Sequence, residues 1–477
     1  MEERAMAELT VRSLGGQTSV LNDDALADLA SGLRGTLITP ADADYEASRL
    51  IWNAMIDRKP ALIVRCTGAA DVIHTVKFAR RHDLLVSVRG AGHNIAGKSL
   101  ADEALLIDLS GMTAVRVDPL ARIAVVGPGA TLGDLDHETQ AFGLACPVGI
   151  NSTTGVAGLT LGGGFGWISR KFGLTIDNLV AADMVSADGE LLRCDREHNA
   201  DLYWAIRGGG GNFGIVTSFE FKLHRVGPEV VAGPAVFPFE QAGDVLRAYR
   251  DFCTGAPDEL TVWGVIRDAP PLPFLPASVH GTRVLIIVGL YNGDRAEGEK
   301  ALAELRNLGN EIADGFGPCP FAAFQQAFDP LLTPGARNYW KSHNFTSLSD
   351  ELIDTLVDYG ARLPSAQSEI FVAQLGGAIN RIDPAATAYP HRDAEFVMNV
   401  HTRWEDPAHD KACIDWARDF YEATRPMATG GVYVNFISEG EDRIDGAYGA
   451  NYDRLAEVKA AYDPDNFFRE NQNIRPN

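Results

Sequence analysis

The chain has 477 residues, 46% of them hydrophobic and 22% charged, an ordinary globular composition with length for about two to three domains. A formal net charge of −22 without any basic run argues against nucleic acid or an anionic membrane as partner. The six cysteines are scattered and never form a Cys-x-x-Cys pair, which leaves a zinc site or a disulfide framework unsupported. Met1 to Glu8 is charged with no apolar run, and no later stretch approaches the roughly 20 apolar residues of a membrane span, so a cytoplasmic location is expected.

In chain order, residues 1–37 read as an N-terminal extension with one short helix around Leu21 to Leu33. From Ala61 the pattern becomes α+β: short apolar runs at Leu62 to Val64, Leu84 to Val88, Leu105 to Ile107 and Ile123 to Val126, with a helix over Ala70 to Arg81. Val180 to Val185 and Leu191-Leu192 flank Asp188-Gly189, which supplies the positive φ angles of a tight hairpin turn. Between residues 226 and 430, helical stretches (Gln241 to Phe252, Arg295 to Leu308, Asp350 to Ala361, Asp410 to Thr424) alternate with strands (Val284 to Leu290, Glu369 to Leu375, Glu395 to Arg403). Leu352, Ile353, Leu356 and Val357 recur at helical spacing and would lie against a sheet. This region reads as a second domain, an antiparallel sheet backed by helices, with a loop at Pro270 to Pro276.

Three glycine clusters stand out. Arg89-Gly90-Ala91-Gly92-His93-Asn94, closing at Gly97, follows a strand-like run, and its successive N–H groups suit an anion such as a pyrophosphate. Gly155-Val156-Ala157-Gly158 through Gly162 to Gly166, and Gly208 to Gly214 before Ile215 and Val216, lie downstream. Gly209-x-Gly211-x-x-Gly214 matches the dinucleotide fingerprint in letters only, because a helix-like stretch precedes it and a strand follows, the reverse of a Rossmann site.

With Thr153-Thr154 before the second cluster, Gly173-Leu-Thr-Ile-Asp177-Asn178, and the tail from Tyr448 to Phe468, these motifs resemble the flavoprotein oxidoreductases of the vanillyl-alcohol oxidase and p-cresol methylhydroxylase type. Within them the likeness is to bacterial berberine bridge enzyme-like members, and it runs from about Ile38 to the C-terminus. The resemblance implies a two-domain flavoprotein: an FAD-binding domain over 38–225, a substrate domain over 226–430, and a segment 431–477 that returns to the first and makes it discontinuous. It implies an FAD site from Arg89, Gly90, Ala91, Gly92, His93, Asn94 and Gly97. Gly149, Asn151, Thr153, Thr154, Gly155, Gly158, Gly163, Gly164 and Gly166 continue it, and Gly214, Ile215, Val216 and Asn451 complete it.

The resemblance also implies a covalent bond from His93 to a flavin methyl group, and in many relatives a second from a cysteine just before the Gly-x-x-Gly turn. Here Asn151 occupies that position and Cys146 lies five residues too early, so a single link is expected. Tyr448 is the tyrosine expected over the reactive face; as a base it needs a lowered pKa. Strand alternation puts Asn399, His401 and Arg403 on one face, a substrate row if that sheet roofs the flavin, with Gln374, Tyr433 and Asn435 as comparable candidates. No metal-ligand or acyl-transfer motif is visible.

The implied activity is hydride removal from a C–H bond of a small alcohol, amine or secondary metabolite, with O2 reoxidising the flavin to give H2O2. A dehydrogenase using another acceptor, an inert flavin-binding module and a nicotinamide-linked reductase remain open at this point.

Overall fold

A computed structural model describes residues 9–438 and 444–477. Its first part holds two sheets. One has four strands in the order Thr36–Ile38, Leu62–Arg65, Leu105–Asp108, Val86–Arg89, the last three parallel to one another. The other is antiparallel, in the order Leu191–Cys194, Leu179–Val185, Ile215–Lys222, Ile123–Val126, Val115–Asp118. Between them runs the helix Ala69–Arg81, whose Val72, Val76 and Phe78 share one core with Val64, Ile107, Val185 and Ile215. The Asp188-Gly189 hairpin forms with Gly189 at φ +74°.

Residues 9–37 pack against the first part. Leu9–Arg12 and Thr18–Leu21 pair as a hairpin, Asp23–Ser31 is a helix capped by Asn22, and Val11, Leu21 and Leu29 are buried in that same core. The apolar residues here are too few and too widely spaced to announce a core by themselves; the neighbouring sheet supplies their partner.

The second part is a large antiparallel sheet in the order Ala313–Asp314, Glu229–Pro238, Arg283–Tyr291, Leu260–Asp268, Glu369–Gln374, Phe396–Trp404, Arg337–Phe345, with Gly317–Pro320 also paired to Glu229–Pro238. Helices Ala242–Thr254, Arg295–Arg306, Asp350–Ala361 and Asp410–Thr424 cover its outer face. Ser349 caps the third of these by accepting from the Leu352 amide at 3.1 Å, with Asp350 and Glu351 at its positive end. The inner face looks back at the first part, and Val236, Trp263, Phe371 and Val397 pack there with Phe165, Trp167 and Tyr433.

The tail rejoins the first part through a buried tie. From the helix Tyr452–Tyr462, Lys459 Nζ donates to Asp463 Oδ2 (2.6 Å), the Asn212 carbonyl (2.6 Å) and the Phe468 carbonyl (3.0 Å), while Asp463 accepts from the Phe467 and Phe468 amides. The Gly208–Gly214 turn is thereby fixed to the C-terminal motif. Among the described residues no helix is long and apolar enough to cross a membrane.

Candidate active site

Between the two parts lies a cavity of about 620 Å³. Its floor is backbone. The strand Val86–Arg89 ends under it, and Arg89 donates to both oxygens of Asp108 on the neighbouring strand, at 3.2 and 2.7 Å, both side chains buried. That pair anchors the start of the Gly90–Asn94 turn. Gly92 takes φ +73°, and the amides of Ala91, Gly92, His93 and Asn94 donate to no other described residue, leaving a nest of N–H groups for an anionic ligand. Gly155 lies so close beneath that a Cβ there would stand 2.9 Å from Ala91 Cβ.

Ser87 Oγ, Ser99 Oγ and Asn471 Oδ1, also in the wall, are buried polar atoms without a partner among the described residues. An extended ligand rich in hydroxyl and phosphate oxygens, carrying a flat ring system, fits this combination, which is the chemistry of FAD.

His93 faces the cavity with its ring stacked on Trp52, centroids 5.2 Å apart. Its tautomer follows from its neighbours. Thr153 donates its hydroxyl proton to Asn151 Oδ1 (2.7 Å), an orientation of Asn151 fixed by the Thr153 amide on the same oxygen. Thr153 Oγ1, 3.0 Å from His93 Nε2, therefore accepts from Nε2–H, and the lone pair belongs to Nδ1. Burial lowers the imidazole to about 4, so it is neutral at physiological pH. Cys146 is absent from the wall: it is fully buried and its thiol is pushed up by burial and then by Asp136, whereas Asn151 lines the cavity.

The roof is the inner face of the large sheet. The Asn399, His401, Arg403 alternation is real, but the row faces inward rather than to solvent: Asn399 and His401 line the cavity, while Arg403, at the edge, donates to the Thr333 carbonyl at 2.6 Å and sits over the Trp52 ring. Glu369 Oε2 accepts from Arg267 (2.7 Å) and Oε1 lies 3.1 Å from His401 Nδ1. Burial pushes the Glu369 carboxyl up, but Arg267 and His401 outweigh it and bring it down to about 2.

The two tyrosines differ. Tyr433 Oη accepts from the Gly164 amide and from Asn435 Nδ2, both at 3.0 Å, so its own proton is left for the cavity. Burial raises Tyr433 to about 12, against the pull of those two donors. Tyr448 lines the cavity beside Gly210 but spends its proton on the Gly209 carbonyl (3.4 Å); burial raises its pKa, opposed by Asn212. Two donors thus converge on the oxygen of Tyr433, whereas the Tyr448 hydroxyl faces a carbonyl.

Of the other expected site residues, Gly90, Ala91, Gly92, Asn94, Gly149, Thr154, Gly155, Gly158, Gly214, Ile215 and Val216 line the cavity with His93 and Asn151. Arg89, Gly97, Thr153, Gly163, Gly164 and Gly166 stand one layer behind the wall. Gly97 closes against Ile56, Gly163 against Tyr389 and Tyr433, and Gly166 against the Val148 carbonyl. Asn451 is a structural clasp, donating to the Pro384, Thr387 and Ala388 carbonyls. Gln374 points to the helix side, between the Val262 amide and the Cys253 carbonyl. Residues not anticipated include Trp52, Arg267, Trp340 and Glu369. The last carried no sequence signal, because Glu369–Gln374 is buried on both faces.

A backbone anion cradle bearing a neutral histidine, roofed by an aromatic sheet, defines a flavin-binding oxidoreductase site. Known proteins agree. Residues 60–195 match the FAD binding domain family and residues 432–475 the family described as berberine and berberine like. An FAD-linked oxidoreductase of Dictyostelium discoideum is 30% identical over 97% of this chain and 98% of its own length. The (R)-6-hydroxynicotine oxidase of Paenarthrobacter nicotinovorans is 30% identical over 93% and 97%. A solved variant of Physcomitrella patens BBE-like 1 superposes with a TM-score of 0.84 at 25% identity, covering 93% and 97% of the two chains. The chain belongs to the berberine bridge enzyme-like FAD-linked oxidoreductases.

Proposed function

We propose that this enzyme removes a hydride from a C–H bond of a small alcohol, amine or secondary metabolite, and that Tyr433, having first released its own proton to solvent, takes the accompanying proton as its phenolate. The observation that carries this reading is the Tyr433 oxygen: two N–H donors point at it, which opposes the rise that burial imposes and favours the phenolate that can accept a proton, and the side chain lines the cavity. Bound FAD would supply the two-electron acceptor and would be returned to its oxidised form by molecular oxygen, releasing H2O2. The Ala91–Asn94 amides and the Gly210–Asn212 turn would hold its anionic and hydroxyl-bearing stretch. His93, neutral and with its lone pair on Nδ1, is poised to form a single covalent bond to the flavin, since Cys146 does not reach the wall. Trp52 and Arg403 at one rim, and Phe324 and Phe328 at another, limit water at the reacting centre.

The test is a panel of alcohols and amines mixed anaerobically with the purified holoprotein. The visible flavin band is expected to bleach with at least one of them and to recover in air with one H2O2 per turnover. Bleaching by NADPH and by no member of the panel would overturn the reading.

A further inference from the structure

The register of the large sheet rules its inner face into rows. One row runs Trp340, His401, Glu369, Arg267 and carries the roof's charges; the next runs Ser342, Asn399, Phe371, Val265, Ile286. In the first row the charges are spent on one another: both Glu369 oxygens are engaged, by Arg267 and by His401, and His401 Nε2 stands 3.2 Å from Asn338 Oδ1. That row offers a ligand no free ion.

Asn399 is the opposite case. It is 1% exposed and lines the cavity, yet neither its Oδ1 nor its Nδ2 has a partner among the described residues; the indole N–H of Trp340, in the adjoining row and also in the cavity wall, has none among them either. Burying an amide with both ends unpaired costs free energy that a bound ligand can recover. The surfaces beside Asn399 are flat and aromatic. Phe371 stacks on Trp263 with rings 9° apart, and Phe436 stands edge-on to both Trp340 (5.5 Å) and Phe371 (6.0 Å).

An asparagine side chain presents a donor and an acceptor side by side, and the group that answers both is another amide edge, a C=O next to an N–H. We propose that Asn399 is the specificity residue of this cavity. Its ligand is an uncharged ring compound with an amide edge, a lactam or the hydroxy-azine tautomer of one, held between the aromatic walls. A polyhydroxylated ligand is disfavoured because those walls offer it few partners; a charged one is disfavoured because the adjoining Glu369 is already matched by Arg267 and His401. This inference rests on the reading of the cavity as the substrate site.

The experiment is calorimetric titration of the FAD-loaded protein with 2-quinolinone, with N-methyl-2-quinolinone and quinoline as the analogues lacking the N–H or the whole amide edge. Roughly ten- to hundredfold tighter binding of 2-quinolinone is expected. Asn399→Leu should erase that preference while keeping its flavin and its visible spectrum. Asn399→Asp, which keeps the acceptor and loses the donor, should lose 2-quinolinone and gain the protonated 2-aminoquinoline. Equal binding of all three compounds, or a preference that survives both substitutions, would overturn the proposal. So would loss of flavin from both variants, which would make Asn399 a cofactor ligand. Calorimetry needs no turnover, so a protein with this preference whose flavin no substrate bleaches would count against the oxidase reading alone.

Discussion

On one side of the cavity the Gly90–Asn94 and Gly155–Gly158 stretches present main chain, while on the other the strands Glu369–Gln374 and Phe396–Trp404 present alternating side chains. Main chain is specified by what is missing, since a Cβ at Gly155 would collide with Ala91, and its binding groups are the same amides every protein has. Side chains on a strand can be exchanged one at a time without moving the strand, because the strand is held by its ladder and by the helices packed on its outer face. On the function proposed above, the floor would fix the cofactor and the roof would be free to choose a substrate.

Substitutions should separate the two walls. The largest effect is expected from Tyr433→Phe, which should lower kcat by about 10²–10⁴ with flavin content unchanged, whereas Tyr448→Phe should cost far less; steady-state and rapid-reaction rates decide between them. Lys459→Met strikes the floor from behind by leaving Asp463 buried and unpaired, and should destabilise by about 3–5 kcal/mol in denaturant unfolding and release the tail from the Gly208–Gly214 turn. Gly155→Val should fold yet retain little flavin, seen as a reduced ratio of visible to ultraviolet absorbance.

A smaller effect comes from the seam between the domains, where Gln325 Nε2 donates to Asp136 Oδ2 at 3.1 Å. Burial raises Asp136 to about 7, against the pull of Gln325, whereas an unfolded aspartate titrates near ~4. Between these values the folded protein keeps a proton that the unfolded chain has shed, so stability falls as pH rises through that window, by up to about 4 kcal/mol at pH 8. Asp136→Asn should flatten this dependence, making the variant the more stable protein at pH 8 and not at pH 4, as thermal melts would report.

Much of the floor was legible because glycine spacing and strand ends leave marks in one sequence. The Gly208–Gly214 turn sits between the helix Ala200–Ala205 and the strand Ile215–Lys222, the order that rules out a Rossmann site. The row Asn399, His401, Arg403 was legible for the same reason, being polar on one side and apolar on the other. Gln374 misled because Glu369–Gln374 is buried on both faces, so alternation carries no parity signal there. The choice between Tyr448 and Tyr433 was not legible, because a tyrosine's neighbours, not its position in a motif, decide whether its oxygen gives or receives a proton. Glu369 and Arg267 are 102 positions apart in sequence, and only the sheet register places them opposite each other. The N-terminal hairpin and helix gave no core pattern because their partner is some fifty residues away.

The central claim is that this cavity holds FAD on His93 alone. Acid precipitation of the purified holoprotein, of His93→Ala and of Cys146→Ala, each followed by a visible spectrum of pellet and supernatant, tests it most directly. The account predicts a yellow pellet for the parent and for Cys146→Ala, and a colourless pellet with yellow supernatant for His93→Ala; colour retained in the His93→Ala pellet, or a parent that takes up no FAD, would contradict it.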